Sequence, residues 1–452
     1  MNQSKTTLIL FGGTGDLAYR KLIPSLFDLY LKNSLPKEFS IVGFSRKDLS
    51  NEEYREQVKT NVENIKDEFL EKITYCSGDI LEENAYGKLS SFLKEQDGDK
   101  CSNKLYYLAV QPNLYKDVFK RLSESGLVVS DGNKTNCSRI LIEKPFGFDR
   151  DEAKDLDKLT RSLFNEDQIY RIDHYLGKEP IQNILNFRFS NSIFEPLWNR
   201  EYIDRIEIKI NESLTVSNRG SFYDSIGALR DIGQNHALQM LALVTMDNPV
   251  VMEQNLIRKK REDVLNKVSA INKEGKINVT RGQYIGYREV EGVQENSQTE
   301  TYFNLELFID NDRWKDVPII IESGKGFPEK NTEINIYFKK DSKCIPGIND
   351  CNYQNILNFN IYPREDISLK FRSKKPGFTF ETEEKGLTFN YDKDSLVPDA
   401  YEKILYDAVV GDQTLFTSTK EVMAEWNVIM PVLEYWSETD LLKYEVGSDF
   451  NK

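Results

Sequence analysis

The chain has 452 residues, enough for two or three domains with sizeable cores. Hydrophobic residues make up 39%, charged residues 29%, and the net charge is -13, an ordinary composition for a soluble protein. Such acidity, with no basic stripe to release phosphate counterions, argues against a nucleic-acid partner. It leaves room for a small anionic substrate held by a few placed Lys and Arg.

Met1 to Thr7 is polar and runs straight into a short apolar strand followed by glycines. That strand is too short for a signal-peptide core, no small-residue cleavage site follows, and no stretch approaches a membrane span. A cytoplasmic location without a membrane partner is the expectation. The five cysteines, Cys76, Cys101, Cys137, Cys344 and Cys351, fit free thiols in a reducing compartment better than a disulfide framework. Cys344 and Cys351 lie around Pro346, Gly347 and Asn349 with no His nearby, so a loop is expected there and no metal site.

Thr7 to Phe11 is an unbroken apolar run, as in a strand buried on both faces of a parallel sheet. Gly12, Gly13 and Gly15 follow, then an amphipathic segment through Leu17, Leu22, Ile23, Leu26 and Leu29 that Asn33 and Pro36 end. Phe39 to Gly43 returns as a second strand. This β-turn-α-β order places glycines where a phosphate must approach the backbone at a helix N-terminus. The spacing Gly12-x-x-Gly15-x-x-Ala18 departs from the strict dinucleotide fingerprint, so the turn alone is a weak signal. After the second strand the sequence reads Ser45-Arg46-Lys47, where a ribose-binding acid would favour NAD. Arginine suits a 2′-phosphate, which favours NADP, while Asp48 keeps secondary use of NAD open.

Leu49 to Lys94 is charged and helical in spacing, interrupted by Ile73-Thr74-Tyr75, and its charges read as a solvated face. Leu105 to Val110 and Ser138 to Glu143 are further strands, the latter running into Lys144-Pro145. A Lys at the C-terminal end of a parallel strand sits at the edge where open α/β sheets bind ligands. From about residue 181 the pattern changes. Asn183 to Phe189, Asp204 to Ile210, Thr301 to Ile309 and Glu333 to Phe338 alternate as half-buried strands do, with a helix over Ala237 to Val244. The expectation is a Rossmann-type α/β domain over 1–180 and an α+β domain over 181–452 with a large, mainly antiparallel sheet.

Only two histidines occur, and both stand beside carboxylates: His174 in Asp173-His174-Tyr175 and His236 in Asp231-Ile232-Gly233-Gln234-Asn235-His236. Imidazole exchanges protons readily near neutrality, which suits a general base.

Arg171-Ile172-Asp173-His174-Tyr175-Leu176-Gly177-Lys178-Glu179 resembles the signature of the glucose-6-phosphate dehydrogenase family almost without substitution. Gly13 to Ala18 with Arg20-Lys21-Leu22, Glu143 to Gly147, Arg219-Gly220, Arg230-Asp231 and Gln234-Asn235-His236 resemble further family motifs. So do Arg281-Gly282-Gln283-Tyr284, Gly324-Lys325, Lys375-Pro376-Gly377 and Asp399-Ala400-Tyr401-Glu402, so that nearly the whole chain is covered. Tyr19 and Lys330 stand where relatives often carry a basic residue and arginine respectively, and the tail after Trp436 is shorter than in many members. That shortening leaves open a second, structural NADP site.

The resemblance implies oxidation of D-glucose 6-phosphate at C1 to 6-phospho-D-glucono-1,5-lactone, the first step of the oxidative pentose phosphate pathway, with hydride passed to NADP. It implies His236 as base and Asp173 as its hydrogen-bond partner. It assigns His174, Tyr175 and Lys178 to the phosphate, and Lys144, Glu212, Asp231, Lys325 and Lys330 to the sugar phosphate. Gly12, Gly13, Thr14, Gly15, Asp16, Leu17, Lys21, Arg46 and Lys144 are expected around the cofactor, with no metal. A homodimer or tetramer is expected. A related sugar dehydrogenase of the glucose–fructose oxidoreductase type would act without the 6-phosphate, and an inactive NADP-binding regulatory protein would lack the base or its carboxylate.

Overall fold

Six strands, each apolar and largely buried, make the parallel part of the first sheet: β1 Thr6–Phe11, β2 Phe39–Ser45, β3 Ile73–Ser77, β4 Asn103–Leu108, β5 Arg139–Ile142 and β6 Ile169–Ile172. The computed structural model describes residues 5–98, 102–128, 138–217, 219–340, 353–391 and 397–450. The chain divides into two compact units. The first holds residues 1–177 with 253–258 and 398–422, and the second holds the remainder.

In the first unit the strand order is β6-β5-β4-β1-β2-β3, with Phe416–Thr417 added antiparallel on β6. The order reverses direction at β1, the switch point at which open α/β sheets bind ligands beyond the strands' carboxyl ends. Every β1 residue is buried, so water competes with none of its ladder bonds. The late segment 398–422 is tied in chemically. Arg139 donates to the carbonyls of Ala408 and Val409 at 2.6 and 2.9 Å, capping the helix Ala400–Val410. Lys32 and Glu402 pair at 2.6 Å, and Ile404, Leu405, Ala408 and Phe416 join the apolar core with Leu8, Leu10 and Leu26.

The second unit carries a large sheet, mixed but mostly antiparallel, as the sequence leads one to expect. Its strands are β7 Ile203–Asn211, β8 Val268–Ser269, β9 Val279–Tyr284, β10 Tyr302–Ile309, β11 Ile319–Gly324, β12 Asn331–Phe338, β13 Ile356–Tyr362, β14 Asp366–Lys374 and β15 Thr382–Asn390, with Leu441–Tyr444 at one edge. The order is β15-β14-β13-β12-β7-β11-β10-β9 and then Leu441–Tyr444, with β8 paired to β10. Only β7 with β11, and β9 with Leu441–Tyr444, run parallel.

One expected strand is a helix. Asn183–Phe189 lies within the helix Glu179–Phe189, whose buried residues Pro180, Ile181, Ile184, Leu185 and Arg188 follow helical spacing. Pro180 at the first turn pre-sets the helix. Arg188 misleads because its guanidinium is buried, donating to the carbonyls of Leu243 and Met246 at 2.8 Å each. Cys76 is buried and free; the other four cysteines, the Cys344–Cys351 loop among them, lie outside the described residues. Among the described residues no helix is long and apolar enough to cross a membrane.

Candidate active site

Because β1 to β6 run parallel, the turns after them all open at one edge of the first sheet. Four of these strands, β1, β2, β5 and β6, aim expected site residues there. After β1, Gly12 has φ +84°, and a Cβ on it would lie 2.4 Å from the Ala109 carbonyl oxygen, so only glycine fits. Gly12 N–H donates to the Phe44 carbonyl at 2.9 Å, and Tyr54 Oη donates to the Gly13 carbonyl at 2.8 Å. Thr14 Oγ1 lies 2.9 Å from Ser45 Oγ, which lies 2.9 Å from Tyr75 Oη. This hydroxyl chain fixes the glycine turn to the end of β2, one residue before exposed Arg46.

Asp16 is exposed and pairs with Arg20 at 3.2 Å, while Leu17 packs on the core. A π-turn, Ala18–Leu22, then joins the helix Ile23–Leu31. Such turns concentrate at functional sites. Lys21 lies in it, 3.4 Å from Asp399. The turn offers a side-chain-free glycine cradle, a helix start and a cation beyond β2. That donor set fits the phosphates of a dinucleotide.

After β5 come Glu143 and Lys144. Tyr107 Oη donates to Glu143 at 2.5 Å, and Tyr115 Oη donates to its carbonyl at 3.0 Å. Burial pushes the Glu143 carboxyl up, partly offset by hydrogen bonds from Tyr107 and Tyr401 and by Lys144. This half-buried acid, next in sequence to the expected ligand Lys144, is tied by both bonds to the core tyrosines and so anchors the backbone that carries Lys144. After β6, Asp173 is 2% exposed, accepts from Tyr175 N–H at 2.9 Å, and turns the chain. The His174 ring lies nearly parallel to Tyr401, 6.1 Å away, and Tyr175 is buried.

The second unit has its own cluster. β7 and β11 are parallel, so Glu212 and Lys325 emerge side by side, and they form an ion pair. Lys325 also sits 5.1 Å over the Tyr223 ring. The Tyr223 phenol is pushed well above its usual range by burial and by the charges of Asp231 and Glu300. Exposed Lys330 precedes β12, whose first residue Asn331 pairs with Asn211, so it stands at the same end of the sheet. It lies 4.5 Å over the Tyr362 ring. Lys178 precedes the helix Glu179–Phe189 as its N-cap residue.

Asp231 and His236 lie on a nine-residue π-helix, Leu229–Ala237. His236 is 1% exposed, its N–H donating to Asn235 Oδ1 at 2.7 Å. Asn235 in turn donates to the Arg230 carbonyl at 3.0 Å, and Gln234 and Gln239 both reach buried Glu425. A buried imidazole on a rare helical form that also carries Asp231 suits proton transfer.

Sequence profiles match the chain in two consecutive parts. Residues 9–183 match "Glucose-6-phosphate dehydrogenase, NAD binding domain", and residues 185–451 match "Glucose-6-phosphate dehydrogenase, C-terminal domain". The chain belongs to the glucose-6-phosphate dehydrogenase family. The glucose-6-phosphate 1-dehydrogenase of Borreliella burgdorferi is 38% identical over 465 residues, covering 99% of this chain and 95% of that protein. A solved glucose-6-phosphate dehydrogenase in complex with its substrate glucose 6-phosphate is similar at TM-score 0.91 and 33% identity, covering 99% of this chain and 95% of the other. The Mycobacterium avium glucose-6-phosphate 1-dehydrogenase structure gives 0.84 and 31%, covering 98% and 95%.

This glucose-6-phosphate dehydrogenase family member is therefore an oxidoreductase with an NAD(P)-binding domain. The first unit gathers Gly12 to Leu17, Lys21, Arg46, Lys144 and Asp173 to Tyr175 at one sheet edge. The second gathers Glu212, Lys325 and Lys330 at one sheet end, with Asp231 and His236 on the π-helix. Asp173 and His236 belong to different units, so their pairing is part of the functional proposal. Sequence reasoning gave no role to Tyr107, Tyr223 or Glu300. Tyr401 and Glu143 lay within motifs already noted but carried no assigned role, because a buried hydrogen bond leaves no periodic trace.

Proposed function

We propose that this enzyme oxidises glucose 6-phosphate at C1 to the 6-phospho-glucono-1,5-lactone, with NADP preferred over NAD. The observation that carries the reading is His236, buried on a π-helix with Asp231 and Asn235, in a chain matched to the family from end to end. NADP, when bound, supplies the hydride acceptor. His236 takes the proton of the C1 hydroxyl as the hydride leaves, a contribution of about 10²–10⁴-fold. Asp173 accepts a hydrogen bond from the second imidazole nitrogen, holding the tautomer and stabilising the imidazolium. His174, Tyr175 and Lys178 bind the 6-phosphate with mixed neutral and charge-assisted donors. Lys144, Glu212, Asp231, Lys325 and Lys330 surround the sugar phosphate, and Gly12 to Leu17, Lys21, Arg46 and Lys144 line the cofactor. We assign it to the cytoplasm, as a homodimer or tetramer.

The test is the rate of reduced-nicotinamide formation with glucose 6-phosphate, glucose and 6-phosphogluconate, each with NADP and NAD. Glucose 6-phosphate with NADP should be fastest; a preference for free glucose would overturn the substrate. His236→Asn should lower kcat by about 10²-fold or more while glucose 6-phosphate affinity stays nearly intact. Near-normal turnover in that variant would sink the base assignment.

A further inference from the structure

The π-helix that carries Asp231 and His236 does not start on its own. The helix that begins at Gly220 breaks at Gly227, with φ 74° and ψ 173°, and the π-helix follows at Leu229. Its first N–H groups have no partner within the helix and need acceptors from elsewhere. Glu300, which precedes β10, supplies two, one to the preceding Ala228 and one to Leu229. Its carbonyl accepts from Ala228 N–H at 3.1 Å, and its Oε1 accepts from Leu229 N–H at 2.9 Å. Glu300 is 3% exposed and occupies the space a side chain at position 227 would need, since a Cβ there would lie 2.3 Å from Oε1. Its own segment is fastened to the preceding helix, Thr299 Oγ1 donating to the Asp224 carbonyl at 2.6 Å, and Tyr287 Oη donates to Asp224 Oδ1 at 3.0 Å.

We propose that Glu300 is a positioning residue for the catalytic base, fixing the start of the π-helix and with it the register at which Asp231 and His236 are presented. The inference rests on the assignment of His236 as the base. A π-helix holds one extra residue per closing bond and competes with the α-form. A one-residue slip turns every later side chain by about 100° around the axis. Without the carboxylate, the buried Leu229 N–H also loses its acceptor, which favours such a slip.

Glu300→Ala and Glu300→Gln, each made with His236 intact and with His236→Asn, test this. Glu300→Ala should lower kcat at least about tenfold and raise KM for glucose 6-phosphate through Asp231, leaving KM for the dinucleotide unchanged. Glu300→Gln keeps an acceptor for Leu229 and should stay within about threefold of the parent in kcat. In the His236→Asn background Glu300→Ala should cost no further kcat, because both changes remove the same contribution. A loss that multiplies in full in that background, or a Glu300→Ala enzyme of normal kcat beside a crippled His236→Asn, overturns the inference and leaves the base assignment standing. Near-normal turnover of His236→Asn overturns the base assignment instead. Should Glu300→Ala fail to fold, Glu300→Asp, too short for the Leu229 N–H, must show the same fall in kcat; normal turnover there refutes the role.

Discussion

Arg46 stands one position beyond Ser45, whose hydroxyl lies 2.9 Å from Thr14, so the chain that carries this exposed guanidinium is tied to the glycine turn. A planar fork of donors matches a phosphate and has nothing comparable to gain from a bare ribose diol. Arg46→Ala should therefore weaken NADP by far more than NAD, measured as the two KM values at saturating sugar. Equal losses would mean that Arg46 supports the turn or contacts a group common to both cofactors. Such residues are legible in sequence because they sit in short contiguous motifs: Lys144 after β5, Asp173 after β6, Lys325 after β11. Glu300 is not, since its partner Leu229 lies far away along the chain and a carboxylate before a strand ordinarily reads as solvated. Arg188 misled for the same reason, a charge buried by partners that only the fold supplies.

β1, β2, β4 and β5 were readable as strands because burial on both faces leaves apolar runs, and the glycine turn because Gly12 must adopt positive φ, whereas β6 was not, being only four residues long with Arg171 within it. The π-helices were not, because an extra residue in a helical turn alters hydrogen bonding and leaves the pattern of apolar spacing nearly unchanged. The helix Glu179–Phe189 was mistaken for a strand, yet its true form strengthens the role given to Lys178. Lys178 is its N-cap residue, so an anion bound there meets both an ammonium and the positive end of a helix dipole. The 6-phosphate is remote from C1, and binding energy realised there can be used to orient the reacting carbon. Lys178→Ala should lower kcat/KM for glucose 6-phosphate well over about tenfold and leave the poor activity on free glucose little changed. An equal loss on both sugars would show that Lys178 supports the fold or the base and does not read the phosphate.

For the molecule as a whole, the return of 398–422 to the first unit was hidden from sequence, because its anchors Arg139 and Lys32 lie hundreds of residues upstream. Packing within each unit buries acids, and the acids set how stability follows pH. Burial raises Asp407 to about 6 against the pull of Lys403, raises Glu300 to about 7 against hydrogen bonds from backbone N–H groups, and raises Glu143. A carboxyl raised above its unfolded value of about 4 keeps its proton longer when folded. Between about pH 4 and pH 7 the folded protein then binds more protons than the unfolded chain, so this contribution to stability is lost as pH rises. Glu166 and Asp97 act oppositely: their burial is outweighed by Arg171 and Arg258 in one case and by Lys104 in the other, and their contribution is lost as pH falls below about 4. The net charge of -13 near neutrality adds self-repulsion on the alkaline side. Tm should therefore peak near about pH 5 and decline towards about pH 8. Glu300→Gln and Asp407→Asn, which remove the need to charge a buried acid, should each flatten the decline and raise Tm more at the alkaline end than at the acid end. A parent Tm that climbs steadily from pH 5 to 8, or variants that lower Tm equally across the range, would mean that these acids are charged at little cost in the folded protein.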